Sequence, residues 1–448
     1  MEAPSPVTAA EFAALIARCG PFEGAPRLAV AVSGGPDSVA LAVLADGWVR
    51  AQGGMLVALT VDHGLRAESA AEAAQVGRWL GVRGIAHDVL MWRGTKPATG
   101  IQEAARTARR ELLLEACRAR GIFHLLLGHQ QEDQRETAAM RAQRGSGPDG
   151  RAAMSLVVEA AHVRVLRPLL AVPRARLIAT LDAVAQPWID DPSNRDPRFL
   201  RARLRRDDAG ATIDPAALAR LGVERTVREA ALAAVLARHV TIHPEGWATL
   251  DPALLAPGAV APELAARALA RVVATIGGGT YAPRGERVAR LYAALAHSLE
   301  AGAARTPART LGGCRLVPRR GVLLVVREAG AITERRVLPS GGEEVFWDRR
   351  FVLRTSADPR AVPRCPLTVA ALGEAGWAAV VQAAPALRSS AVPALVRPSL
   401  PALWDLDGVC AVPHLFYRRR DQGADRFSAV FAQFRPRHAL ADAGFLAG

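Results

Sequence analysis

The chain has 448 residues, half of them apolar, and a net charge of +14, and a chain of this length holds about three domains of ordinary size. Its five cysteines are scattered with no closely spaced pair, which argues against a disulfide framework, a zinc ribbon and an iron–sulfur site. No apolar run approaches the about 20 residues that a membrane-spanning helix needs, and no signal peptide is visible, so we expect a cytoplasmic protein with no membrane partner.

The positive charge is almost entirely arginine, since Lys96 is the one lysine among 57 basic side chains. A compositional habit of the source genome accounts for part of this bias, but it does not account for the net sign. Guanidinium groups match phosphate oxygens well, so the charge is compatible with a nucleic-acid partner.

The first 140 residues alternate short strands with helical periods. This alternation predicts an α/β domain with a doubly wound parallel sheet that is covered on both faces and binds its ligand at the carboxyl ends of the strands. The predicted strands are residues 28–32, 55–61, 85–90 and 123–127, and the predicted helices are residues 37–49, 67–80, 101–118 and 130–141.

The rest of the chain contains a region with helical periodicity followed by a region with strand-like patterns. Residues 215–238, 262–276 and 284–296 have helical periodicity, whereas residues 314–317 and 321–327 read as a β-hairpin. We therefore predict three domains. They are a catalytic domain over residues 1–208, a mainly helical domain over residues 209–332 and a small mixed α+β domain over residues 333–448.

A glycine-rich turn follows the first predicted strand and precedes the first predicted helix. Its glycines allow the backbone N–H groups to approach an anion, and the helix N-terminus adds its dipole. No Gly-Lys pair is present, which excludes a Walker loop, and no GxGxxG occurs at this turn. The turn consists of Ser33, Gly34, Gly35, Pro36, Asp37 and Ser38.

A second polar group follows the fourth predicted strand. His129, Asp133 and Glu136 are spaced to share one face of a helix, and that face begins at the sheet edge where Asp37 also lies. An imidazole and three carboxylates in one cleft would attract a cation and could move protons. A polar helix start carries such residues routinely, so the argument depends on their occurring together beside the phosphate loop.

The SGGxDS turn resembles that of the PP-loop enzymes, which are adenine nucleotide alpha hydrolase-like and cleave ATP between its α- and β-phosphates. Further motifs, in chain order, are similar to those of the tRNA(Ile)-lysidine synthetases. These are VDHGLR from Val61, QEAARTAR from Gln102, GHQQEDQRET from Gly128, RGSG from Arg144, RPLL from Arg167 and DPSN from Asp191.

The resemblance implies a substrate set. Such enzymes use ATP with Mg²⁺ to adenylate the C2 carbonyl oxygen of the wobble cytidine in the CAU anticodon of tRNA(Ile). Free L-lysine then displaces AMP to give lysidine, and the tRNA reads AUA instead of AUG. No protein cluster for a metal is apparent, and Asp37 is the residue that could contact Mg²⁺.

The resemblance also implies roles for matching positions. The phosphate loop, with Asp62 and His63, would bind ATP, while Arg109 and His129 would assist adenylation together with Asp133. Lysine would be bound by Asp37, Asp133 and Glu136. Separately, the arginine-rich run from Arg195 to Arg206 has six arginines against one aspartate. Such a run is either a solvated charged face or a contact for tRNA phosphates, and we expect Arg195, Arg201 and Arg205 to bind tRNA. Gln130 and Glu132 depart from the family pattern, which has histidine and aspartate at these two positions.

Three other functions are alternatives, and each needs a feature that can be compared with this sequence. A tRNA 2-thiolation enzyme of the same loop family would use cysteines, often paired, for sulfur transfer. A small-molecule amidating enzyme would need a glutamine amidotransferase domain or partner and would not need a charge of +14. A non-catalytic RNA-binding protein on a degenerate ATP fold would have no use for Asp37, Asp133 and Glu136.

Overall fold

The chain forms two units and passes between them twice. One unit is Met1–Glu229 together with Ala443–Gly448, and the other is Ala230–Asp442. This computed structural model describes residues 3–65, 68–94, 96–97, 99–190, 213–279, 283–300, 307–339, 342–355, 367–419, 430–441 and 444–448.

The first unit contains a six-stranded sheet in the order β3-β2-β1-β4-β6-β5. All neighbouring pairs are parallel except β5 and β6. The predicted parallel α/β domain and its four strand–helix pairs are therefore confirmed. The strands are β1 (Arg27–Ala31), β2 (Met55–Asp62), β3 (Ala86–Met91), β4 (His124–Leu127), β5 (Val157–Glu159) and β6 (Arg164–Leu166). The helices are α1 (Ala9–Ala17), α2 (Pro36–Ala51), α3 (Ser69–Val82), α4 (Ile101–Ala119), α5 (Gln131–Gln143), α6 (Pro148–Arg151) and α7 (Arg174–Ala183).

Both faces of β1 are buried, which explains its unbroken apolar sequence. Leu28 and Val30 belong to the core that contains residues of α2 and α7. Ala29 and Ala31 point to the opposite face and belong to a second core with Leu113 of α4. Burial of each such Leu or Val side chain contributes about 1.5–3 kcal/mol, so the sheet edge that carries the phosphate loop is held on both sides.

Residues 444–448, which we call the return segment, pack into the first unit although they follow the second unit in sequence. The N–H of Leu156 donates to the Leu446 carbonyl at 2.9 Å, and the N–H of Leu446 donates to Ser155 Oγ at 3.0 Å. Phe445 is buried, with the Arg225 guanidinium 4.2 Å from its ring centroid. The return segment therefore lies along residues that lead into β5.

The second unit is built from antiparallel sheets and helices. One sheet has the order β7-β8-β11-β10-β9, another β12-β15-β16-β17-β18 and a third β13-β14-β19. The first of these comprises β7 (Val240–His243), β8 (Trp247–Leu250), β9 (Arg309–Leu311), β10 (Cys314–Arg319) and β11 (Val322–Arg327). The other strands are β12 (Arg336–Leu338), β13 (Val345–Trp347), β14 (Phe351–Thr355), β15 (Leu367–Ala371), β16 (Pro401–Asp405), β17 (Gly408–Val412), β18 (Tyr417–Arg418) and β19 (Val430–Phe434). The helices are α8 (Pro215–His239), within which the chain leaves the first unit, α9 (Pro262–Gly277), α10 (Gly285–Glu300) and α11 (Gly373–Ala383).

The pairing of β10 with β11 confirms the predicted hairpin, and α8, α9 and α10 confirm the three predicted helices. The division into three domains stays a prediction. Arg195, Arg201 and Arg205 lie outside the described residues. Within the described ranges, none of the helices is both long and apolar enough to cross a bilayer.

Candidate active site

The phosphate loop connects β1 to α2 and is held closed by its own serines. Ser38 Oγ accepts a hydrogen bond from the Ser33 N–H at 3.1 Å and donates to the Gly35 carbonyl at 3.0 Å. Ser33 Oγ lies 3.3 Å from Ser38 Oγ. These hydrogen bonds fix the shape of the loop, and the first turn of α2 lies at its rim, as in other anion sites at helix N-termini.

Gly34 is required at its position for two independent reasons. Its φ is +89°, a region that other residues rarely adopt. A Cβ placed on Gly34 would lie 2.7 Å from Ile189 Cδ1 and 3.1 Å from Val76 Cγ2. The Gly34 carbonyl also accepts a hydrogen bond from the Ile189 N–H at 2.8 Å, which fixes the loop from the outside.

The turn after β4 approaches the phosphate loop closely, because β1 and β4 are neighbours with Ala31 opposite Leu127. A Cβ on Gly128 would lie 3.0 Å from both the Asp37 main-chain oxygen and Ser38 Cα. Glycine at this position lets the two turns come together. The structure therefore brings the two predicted polar groups to one edge of the sheet.

Three helix N-termini meet at this edge through polar side chains. Arg174 begins α7, and its Nε lies 3.6 Å from Asp37 Oδ1 at the start of α2. The Arg174 N–H is 3.1 Å from Oε2 of Glu132, in the first turn of α5. Asp37 thus already lies beside a cation supplied by the protein.

Polar residues that the sequence analysis assigned to the site are buried at the start of α5. Gln130 is completely buried and caps the helix, with its Oε1 accepting from the Glu132 N–H at 2.5 Å. Asp133 Oδ2 accepts from the Gln130 N–H at 3.2 Å, which completes a capping box. Glu136, one turn further, is 3% exposed, and His129 lies half-buried in the turn before the helix.

Asp62 and His63, the two residues predicted to bind the nucleotide at the end of β2, have different surroundings. Asp62 is buried, and its Oδ1 accepts from the Gly64 N–H at 2.8 Å and from Ser69 Oγ at 2.6 Å. These bonds, Ser69 first, hold the pKa of this carboxyl below its usual value. Burial, followed by the charge of Arg109, lowers the pKa of His63 and favours its neutral ring. Asp62 therefore shapes the loop that presents His63.

A group of arginines follows along α4 and β6. Burial, followed by the charge of Arg106, lowers the pKa of the Arg109 guanidinium. Burial, followed by the charges of Arg106 and Arg110, lowers the pKa of Arg167 to about 10. Nη1 of Arg167 donates to the Ser155 carbonyl at 2.9 Å. Like charges gathered in this way make a region that favours a bound polyanion.

Arg174 and Arg167 are the site residues whose placement sequence reasoning missed. The start of α7 did carry a signal, because a helix dipole favours acidic residues in the first turn and α7 has arginine there. Arg167 lies within the RPLL motif, where its burial among other arginines has no sequence signature. Among the described residues, no group of three or more His, Cys, Asp and Glu side chains is arranged to hold a metal ion.

Comparison with known proteins gives concordant matches. A family profile described as a PP-loop domain matches residues 4–208. The tRNA(Ile)-lysidine synthase of Bradyrhizobium diazoefficiens is 42% identical over 323 residues, covering 69% of this chain and 88% of that protein. The tRNA(Ile)-lysidine synthase of Ruegeria pomeroyi is 35% identical over 402 residues, covering 86% of this chain and 88% of that protein. A solved U34-tRNA thiolase from Methanococcus maripaludis aligns with 16% identity and a TM-score of 0.37, over 45% of this chain and 70% of that chain.

Proposed function

This chain belongs to the tRNA(Ile)-lysidine synthase family. We propose that the two steps of the reaction use different groups: the phosphate loop serves adenylation, and the buried carboxylates of Asp133 and Glu136 serve the binding of lysine. As a member of that family, the chain is an ATP-using PP-loop ligase that modifies tRNA. The observation that carries the division is the close approach of the two turns at Gly128, with 3.0 Å from its Cβ position to the Asp37 main-chain oxygen.

The first step is adenylation. The C2 carbonyl oxygen of the wobble cytidine attacks the α-phosphorus of ATP, the bond to the bridging oxygen breaks, and pyrophosphate leaves. The serine hydroxyls and the first N–H groups of α2 bind phosphate oxygens. Arg109 and His129 stabilise the charge that develops on the phosphoryl group and on the cytidine oxygen.

The second step is displacement by lysine. Its amine nitrogen attacks C2, the bond from C2 to the oxygen that carries AMP breaks, and the amine loses a proton. Asp133 and Glu136 share one face of α5 and are both buried, so they provide negative charge where water competes poorly. Asp37 lies beside Arg174 at 3.6 Å, which supports its ability to bind a cationic group.

Mg²⁺ would enter with ATP. Mg²⁺ in nucleotide sites is bound mainly by phosphate oxygens and water with one or two carboxylates. Asp37 at the start of α2 is the carboxylate nearest in sequence to the phosphate-binding N–H groups, so the residues present fit such an ion. When bound, the ion would offset phosphate charge, while the protein groups orient the phosphates.

The tRNA would contact the arginine-rich run through its phosphates. Arg201→Ala combined with Arg205→Ala is expected to weaken tRNA binding and to reduce the dependence of log K on log salt by about one per lost phosphate contact. An unchanged slope would remove these residues from the tRNA contact.

The deciding experiment is incorporation of radiolabelled lysine into unmodified tRNA(Ile) with a CAU anticodon, with and without ATP. ATP-dependent incorporation with AMP release is expected. Asp37→Asn and Asp133→Asn should abolish it, whereas Asp46→Asn is the matched control because Asp46 lies on the same helix as Asp37 and pairs with Arg50. Full activity of either site variant would overturn the site assignment.

The four cysteines that the structure describes give no support to the thiolation alternative, and Cys365 lies outside the described residues. Cys19, Cys117, Cys314 and Cys410 are all buried. Burial raises the pKa of Cys19 to about 11 and that of Cys117 to about 11. Thiols with raised pKa values form little thiolate at neutral pH and are poor sulfur carriers.

A further inference from the structure

The loop after β3 contains the chain's one lysine, and that lysine is anchored within the loop. Lys96 Nζ donates to the Trp92 carbonyl at 2.6 Å and to the Gly94 carbonyl at 3.3 Å. The same ammonium lies 4.7 Å from the Trp92 ring centroid, over its face. A cation in this position fixes both the turn and the indole that precedes it.

The anchored indole meets His63 from the tip of the neighbouring strand. The two ring centroids are 5.9 Å apart and the ring planes are at 87°. Both side chains are half-buried. Two aromatic planes at right angles form a corner, and a flat base stacked on one plane turns its edge toward the other.

His63 also has an unsatisfied polar atom. Its Nδ1 is buried and has no hydrogen-bond partner among the described residues. Buried polar groups are nearly always satisfied, so this nitrogen is open to a hydrogen bond with a ligand group. The ring is held neutral by burial and by Arg109, and a neutral imidazole can either donate to or accept from a neutral base or a ribose hydroxyl.

Lys96 is unusual in this chain, because every other lysine or arginine position is arginine. A compact ammonium can lie between two carbonyls and a ring face, whereas a planar guanidinium carries its donors in a wide fork. An arginine at position 96 would therefore not reproduce the contacts of the ammonium group.

We infer that His63 and Trp92 form one corner of a nucleoside subsite, and that Lys96 is the positioning residue that holds this corner in shape. The inference deepens the proposed function, on which it rests for the kind of ligand. Two nucleosides have the required chemistry, the adenosine of ATP and the wobble cytidine of the tRNA. Base–aromatic stacking tolerates either base.

Equilibrium binding of radiolabelled ATP and of tRNA, measured separately and without lysine, tests the corner. Trp92→Leu and Lys96→Met are each expected to raise one of the two Kd values about tenfold. A raised Kd for ATP assigns the corner to adenosine, and a raised Kd for tRNA assigns it to cytidine. Trp92→Phe, which keeps a stacking ring, should hold that Kd within about threefold of the wild-type value.

Two controls separate positioning from charge and from folding. Arg93→Met removes an exposed positive charge from the same loop and should change neither Kd. The double variant Trp92→Leu with Lys96→Met should bind no worse than Trp92→Leu alone, since Lys96 acts through the indole. Thermal unfolding of each variant determines the folded fraction used to correct the Kd.

The inference is overturned if both Kd values stay within twofold of wild type, or if the double variant shows the product of the two single losses. Its failure is distinct from failure of the proposed function. A wild-type enzyme that binds both ligands but incorporates no lysine contradicts the function and leaves the binding comparison intact.

Discussion

Arginines withdrawn from water occur in both units, buried in the second and half-buried in the first, and their surroundings are opposite. In the second unit, Arg350 is completely buried and donates to Asp348 Oδ2 at 2.7 Å, while Arg327 donates to Asp348 Oδ1 at 3.0 Å. In the first unit, Arg109 and Arg167 lie near further arginines, and in the described part of the chain no ion pair joins either to a carboxylate.

The difference separates two uses of the same side chain. A buried charge that is paired within the protein has its partner at all times, so it serves the fold. Positive charges that are gathered without a protein anion remain unfavourable until an external anion binds. In the first unit this electrostatic cost lies beside the site that we propose for ATP.

The largest expected effect is on stability, when Arg327 and Arg350 lose the carboxylate with which they pair. Asp348→Ala leaves two buried guanidinium groups without their carboxylate and should lower the free energy of unfolding of the second unit by about 3–5 kcal/mol. Urea unfolding followed by far-ultraviolet circular dichroism measures this loss. Asp407→Ala is the control, because the Asp407 carboxylate is exposed and lies 3.8 Å from the Arg419 guanidinium, so its loss should cost about 0–1 kcal/mol. A loss below about 1 kcal/mol would mean that the buried pair does not hold the fold.

The second effect is on catalysis by the unpaired arginines. Arg109→Met should lower the rate of adenylation about 10²- to 10³-fold, as loss of one transition-state donor does, with the free energy of unfolding nearly unchanged. Pyrophosphate release in the presence of tRNA measures the rate. Arg118→Met, at an exposed position of the same helix, is the control. A variant that unfolds readily and keeps its specific activity would show that Arg109 serves the fold after all.

The third effect is smaller and concerns anion binding without turnover. Tripolyphosphate at roughly five times its Kd should raise the free energy of unfolding of the first unit by about 1 kcal/mol. Arg167→Met should reduce this gain, while Asp348→Asn should leave it unchanged. Equal stabilisation of the wild type and of Arg167→Met would place the anion elsewhere.

The smallest effect is on protonation. The folded pKa of His63 is lowered, so the neutral ring contributes stability that is complete above the unfolded value of about 6.5 and is lost as pH falls toward the folded pKa. Arg109→Met removes one cause of the lowering and should raise the pKa of His63. A nuclear magnetic resonance titration of His63, assigned with His63→Gln, measures the change. An unaltered pKa would remove Arg109 as a cause and leave burial and the charge of Lys96.

The sequence predicted the parallel sheet and its strand–helix pairs because each strand is an apolar run bounded by turn residues and each helix has its own period. It did not predict β5 and β6, which have three residues each and gain their pairing only from the sheet. β7 and β8 lie between predicted helices; they pair with each other, and β8 joins the sheet through β11.

Within the site, motifs located the turns but not the contacts between them. The approach of Arg174 to Asp37 depends on where α7 begins, and the hydrogen bond from the Arg174 N–H to Glu132 depends on where α5 begins as well. Such contacts join residues far apart in the chain, and single-sequence patterns carry no record of them. Glycine at position 128 is the exception, since its lack of a side chain is the condition for the contact.

The return segment means that no single continuous stretch of the gene encodes the whole first unit. Because Leu446 joins the core of the first unit, the coding information for that unit lies on both sides of the second. A stop codon anywhere in the second unit therefore also deletes the hydrogen-bond partner of Leu156 and the buried ring beneath Arg225. Domain loss from this end of the gene cannot leave an intact catalytic unit behind unless another segment covers the same edge.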